Sequence, residues 1–270
     1  MMNVEQMLEM AHSRYAKPSK QAQQGRRKAF PEPPAEKMTP EKWVDRLVVT
    51  ALQQSPLLLH PFAVRMVQGK WTKAQIREWA RQEYQRTLYV IRHHALLAAN
   101  ASQYELLWGL LNRVKAEADS DPVGGTFFAL PQLWLKFGIS LGLTRPKIVG
   151  CQPHPLLTLI NDAGFSELRF SAAFPVRDLV DSVFEPVIAQ LWGEALKKSL
   201  RLPYDALDYF RAMGADRWGE EVGRSILQGW ADTREQQVQL WNQYRAEVAN
   251  DREWQRLTLL QEILESVKSS

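Results

Sequence analysis

Residues 72–100 read TKAQIREWARQEYQRTLYVIRHHALLAAN. Thr72 and Gln75 stand three apart, the spacing at which each side chain satisfies the other's backbone amide at a helix start. Ile76, Trp79, Ala80 and Glu83 then recur at three and four, followed by Arg86, Thr87, Val90, His94 and Leu97 on much the same face. That period predicts a helix from about 72 to 100 whose inward stripe also carries polar groups. Working outward, the same grammar returns. Thr39-Pro40-Glu41 offers a cap, a proline for the first helical position and an acid for the first turn, predicting a helix to about Gln54. A second helix follows His60-Pro61-Phe62 and ends near Gly69. Further helices are expected at about 103–118, 127–142, 171–200, 204–214, 217–248 and 251–268. The segment 143–170 holds Pro146, Pro153, Pro155 and Gly164 and reads as loop with one or two short helices. No alternating strand pattern intervenes. The fold class is therefore all-α, a bundle of about seven main helices.

At 270 residues, with 45% hydrophobic and 24% charged residues, the chain can bury a core without staples. One cysteine, Cys151, rules out an intrachain disulfide or a thiolate zinc cluster and suits a reducing cytoplasm, the expected location. No long apolar run spans a membrane, and Glu5 and Glu9 do not fit a secretory leader. Residues 3–16 form a short amphipathic helix and 17–38 a basic, proline-rich linker, so two parts are expected: 1–38, and a helical domain over 39–270. Lys17, Lys20, Arg26, Arg27 and Lys28 give nucleic acid only charge to hold, and a solvated linker is the plainer reading. The ten tryptophans, from Trp43 to Trp254, sit at helical positions and fit core packing better than base stacking.

The common motifs for dinucleotides, P-loops, zinc proteases and nucleophile elbows are absent. Of the five histidines only His12 follows a glutamate (Glu9) at Glu-x-x-His spacing, outside the expected helical domain, so a carboxylate-bridged metal pair is not expected. What remains is a constellation: Glu83 and Arg86 one turn apart, and Arg113 and Glu117 one turn apart on the next helix. If those helices pack antiparallel the pairs can meet inside, as a structural ion-pair network or as an anion pocket with a positioned acid or base. His60, before a proline, is either a capping histidine or a pocket donor. His93 and His94 point about 100° apart, so at most one should face inward. Asp119, Asp121, Gly124 and Gly125 read as a solvated acidic turn rather than a calcium loop.

The segments HPFAVRMVQGKWTKAQIREWA (from His60) and ALLAAN (from Ala95), Gly124-Gly125, LWLKFGISLGL (from Leu133), Tyr209-Phe210-Arg211 and Thr233–Gln237 resemble, in order, the pyrroloquinoline-quinone synthase C family. That family, with the TenA thiaminases, is part of the heme-oxygenase-like superfamily. The resemblance implies one all-α heme-oxygenase-like bundle with a central pocket, commonly a homodimer. His60, Arg113 and Tyr209 fall on a pocket histidine, arginine and tyrosine, and Arg256 on a pocket lysine. Glu83, Arg86 and Thr87 replace arginine, tyrosine and glutamine; Glu117 replaces a histidine; Ala189, Trp192 and Met213 replace a histidine and two arginines.

The implied function is a cofactorless, oxygen-using oxidoreductase acting on an anionic aromatic or heterocyclic substrate in a biosynthetic pathway. His60, Glu117 and Tyr209 would be its catalytic residues, Glu83, Arg86, Arg113 and Arg256 its substrate-binding residues, with no metal. The alternatives are a non-catalytic relative that binds a ligand or a protein partner, and a degenerate di-iron oxidase. For the last, Asp181 or Glu185 would stand in for the middle carboxylate.

Overall fold

The computed structural model describes residues 6, 7, 9, 29–101, 104–118, 129–170, 176–249 and 252–267, with side chains omitted over 164–170. Most of the expected helix over 3–16, most of the linker and the acidic turn at Asp119–Gly125 lie outside the described residues; Gln6, Met7 and Glu9 are helical. Among those described, every regular element is helical. About 11 helices form, not seven. These are α1 (Pro40–Gln54), α2 (Pro61–Val67), α3 (Lys73–Gln82), α4 (Tyr84–Asn100), α5 (Tyr104–Ala118), α6 (Leu130–Ser140), α7 (Pro155–Phe170), α8 (Val176–Leu200), α9 (Asp208–Ala215), α10 (Arg234–Ala249) and α11 (Arg252–Ser266). Short helical turns add Pro56–Leu59, Arg145–Val149 and Arg224–Trp230.

The expected count was low because three stretches read differently from their sequence. The run 72–100 divides at Glu83, which leaves the helical track at φ −89° and ψ −7°. The segment read as loop contains α7, for which Pro155 supplies the first position. The stretch 217–248 breaks into a π turn at Gly219–Gly223, a short helix and α10. Thr233 and Gln236 restart α10 by exchanging backbone and side-chain hydrogen bonds at 2.8 and 3.2 Å. Other signals appear as expected: Thr39 caps α1, and Thr72 with Gln75 forms the capping box of α3. Gly69, at φ +63°, turns the chain just past α2 in a conformation that favours glycine.

Helix α8 is the axis. It packs against α1, α2, α9, α10 and the π turn, while α4 lies between α5, α6 and α7. Pro186 sits inside α8 and offers no N–H to the Ser182 carbonyl. The backbone of Gly219 fills that place: a Cβ there would lie 2.2 Å from the Ser182 oxygen. At the other end of the molecule Phe30 is buried against Trp241 and Tyr244, with ring centroids 5.4 and 5.0 Å away. Gln237 brackets Met38 with two backbone hydrogen bonds. No helix among the described residues is long and apolar enough to cross a membrane.

Candidate functional site

Between helices α3 to α11 lies a cavity of about 580 Å³, a size suited to a small organic ligand. One side of it is aromatic. Trp79 meets Trp134 edge-on at 5.1 Å and Trp192 at 5.8 Å, and Tyr209 meets Trp134 edge-on at 4.7 Å. These offset geometries are the favoured ones for ring quadrupoles. The indole N–H of Trp134 donates to the Ala80 carbonyl at 2.7 Å, which fixes the ring. The helical spacing of Trp79 and Ala80 on α3, and of Trp134 and Phe137 on α6, places these rings together.

The other side is charged. Arg256, on α11, donates to Glu83 at 2.6 Å and also to Glu253. Arg113, on α5, donates from Nε to Glu117 at 3.0 Å, and its Nη2 stands 3.5 Å from Asp216 and 3.7 Å from Glu185. Its guanidinium also lies 4.8 Å over the Trp218 ring. Arg177, on α8, pairs with Asp181 at 3.1 Å, and Tyr244 donates to the same carboxylate at 3.0 Å. Arg86 is held more loosely, 3.9 Å from Glu83 and 3.7 Å from Glu253, with about a third of its side chain exposed.

Both adjacent histidines line this cavity, against the expectation that only one would face inward. The 100° between them does not separate them, because α4 has a carboxylate-bearing neighbour on each flank. His93 reaches Asp178 of α8 at 2.8 Å, and His94 reaches Glu117 of α5 at 2.7 Å. Burial would lower His93, but Asp178 outweighs it and holds the imidazole above its ordinary value. Burial dominates at His94 and keeps it below. Burial would raise Glu117, but His94 and Arg113 hold it below the usual carboxylate range. His94 is therefore neutral and donates to an ionised Glu117, whereas His93 and Asp178 form an ion pair.

The remaining acids divide. Burial would raise Glu253, yet Arg256 and Arg86 hold it down at about 2. Burial pushes Glu185 up to about 7, with neighbouring Asp181 adding to the rise, and Glu247 up to about 8, with Asp178 adding to it. Burial also pushes the Tyr209 hydroxyl far up, so it stays protonated.

Of the residues singled out from sequence, Glu83, Arg86, Arg113, Arg256 and Tyr209 line the cavity. Glu117 stands behind Arg113 and His94. His60 is not on the cavity wall: its Nδ1 accepts the Phe62 N–H at 3.0 Å as the cap of α2, and its Nε2 meets the Thr258 hydroxyl at 3.0 Å. Burial lowers it to about 4, so it is a neutral acceptor there. The two pairs expected to meet do so only in part, since Glu83 is bonded to Arg256 rather than to Arg113. Sequence reasoning missed Arg177, Asp178 and Glu247. The spacing of Asp178, Asp181 and Glu185 at i, i+3 and i+7 on one helix face was the available signal. Among the described residues, no three of His, Cys, Asp and Glu stand close enough to share a metal ion.

Residues 49–159 match the model of the TENA/THI-4/PQQC family. The pyrroloquinoline-quinone synthases of Acinetobacter baumannii strains AYE and ACICU are each 23% identical over 189 residues, 68% of this chain and 73% of theirs. A domain of unknown function with a heme oxygenase-like fold from Shewanella denitrificans OS217 superposes with a TM-score of 0.60 at 17% identity, covering 83% of this chain and 91% of that one. The chain thus has the heme oxygenase-like fold and carries, across residues 49–159, the sequence pattern of the TENA/THI-4/PQQC family.

Proposed function

We propose that the cavity is the active site of a metal-independent, oxygen-using oxidoreductase acting on a small aromatic or heterocyclic acid, akin in chemistry to a pyrroloquinoline-quinone synthase. The observation that carries this reading is the two-sided cavity, with rings on one side and ionised groups on the other. A flat substrate stacks among Trp79, Trp134 and Trp192. Its carboxylate goes to Arg86, whose own contacts are the longest of the cavity arginines given above. His93, held by Asp178, and protonated Tyr209 are the groups on the wall that hold or move protons. The substrate gives up two electrons and two protons to dioxygen, which leaves as hydrogen peroxide.

The test is an oxygen electrode with the purified chain and a panel of electron-rich dihydroxyaromatic and indoline carboxylates. Oxygen uptake matched by peroxide, and lost in His93→Ala, is the expected result. Binding of panel members with no uptake above the uncatalysed rate overturns it. A second reading, ligand binding without turnover, is favoured by one observation: His60 and Glu117, two residues expected to do chemistry, stand behind the wall rather than on it.

A further inference from the structure

The charges facing the cavity do not balance. Six carboxylates line it against five arginines and the charged His93, and Glu117 and Asp216 behind Arg113 bring the acids to eight against six cations. Three of the guanidiniums, those of Arg113, Arg177 and Arg256, are already hydrogen-bonded to carboxylates. Glu185 differs from its neighbours. It projects from the same face of α8 as Asp178 and Asp181, its one ion-pair contact among the described residues is Arg113 at 3.7 Å, and 39% of its side chain is exposed. Glu247 approaches from α10 and accepts the backbone N–H of Arg177 at 3.2 Å. These carboxylates line one cavity, and a cation is the partner that such a surplus favours.

We infer that the ligand of this cavity carries an alkylammonium group on an aromatic frame, with Glu185 as its anchor and Asp181 and Glu247 flanking it. The inference rests on the reading above only in taking the cavity as the ligand site; it does not require turnover. The aromatic side supports it twice, by stacking the frame and by offering ring faces to a cation. The shifted titration of Glu185 and Glu247 agrees, because an arriving ammonium converts two reluctant carboxyls to the ionised state.

The experiment compares two probes that share a ring and differ in charge, tryptamine and indole-3-propionate, titrated calorimetrically into the full-length chain at pH 7.5. Tryptamine is expected to bind at least tenfold more tightly and to release protons, seen as a heat that changes with the buffer's ionisation enthalpy. Glu185→Gln should bring the two probes within about threefold of each other, with a thermal melt at or above that of the wild type. Equal affinities, a preference for the propionate, or no binding of tryptamine at millimolar concentration each overturn the inference. A preference for the propionate leaves the aromatic-acid reading standing. Tryptamine binding without oxygen uptake on the acid panel removes that reading and leaves this one.

Discussion

The two sides of the cavity are built on different terms. The aromatic side is assembled from rings that touch at 4.7–5.8 Å and carry no charge, with the Trp134 indole held by the Ala80 carbonyl. The charged side holds by pairing: Glu83 needs Arg256, 173 positions away, and Glu117 needs both Arg113 and His94. Loss of a ring leaves a hole. Loss of a charge leaves its partner ionised in a place that disfavours ions, and such a defect responds to pH where a hole does not.

The sharpest way to break this contrast is to compare Trp79→Ala with Arg256→Ala. Each should cost about 3–5 kcal/mol in thermal or denaturant unfolding near pH 8. In the wild type, Glu253 sits at about 2, so its stabilisation is present above the usual carboxylate range and fades as pH falls toward 2. Without Arg256 that sign reverses: Glu253, left buried without its main partner, takes up a proton readily, and Arg256→Ala should regain about half its loss by pH 4.5. Trp79→Ala should regain nothing. Equal recovery in the two variants would erase the distinction between the sides.

A smaller effect is expected behind the wall. His60→Ala removes the cap of α2 and should cost about 1–2 kcal/mol, with His60→Asn restoring much of it, since asparagine also caps. Neither should change tryptamine affinity measurably. A tenfold change in affinity would place His60 in the site after all.

The smallest effect should be a gain. A carboxyl raised to about 8, like Glu247, keeps its proton in the folded chain while the unfolded chain loses it near its ordinary value. Stability attached to it is complete at pH 4 and declines as pH rises to 8. Glu247→Gln should therefore match the wild type at pH 4 and exceed it at pH 9 by on the order of 1 kcal/mol. A loss at pH 9 would show that Glu247 contributes a favourable contact rather than a penalty.

How far each side was legible in the sequence follows from the same contrast. Caps and apolar stripes are local, so α1, α5, α6 and α8 lie within about five residues of the expected bounds, as does the start of α3. The break at Glu83 left no such mark, because the stripes of α3 and α4 continue one another across a single turn residue. In the segment 143–170 the prolines suit a loop with one or two short helices, but Pro155 opens a helix of 16 residues. In the site, Arg113 and Glu117 were paired correctly because they are four apart on one helix. Glu83 with Arg256 and His93 with Asp178 join distant segments, and no local rule pairs them. The acidic row Asp178, Asp181 and Glu185 on α8 is present in the sequence, but its spacing does not say which distant groups face it.

The proline in α8 carries a consequence for how this sequence can drift. Because Pro186 gives the Ser182 carbonyl no helical partner and Gly219 closes against that oxygen, the two positions are tied although 33 apart in the chain. A side chain at 219 would collide with backbone, which cannot move aside as a flexible side chain does. Glu185, immediately before the proline, therefore inherits its placement from a glycine on another segment. Divergence at the cavity is thereby limited by a residue that touches none of it.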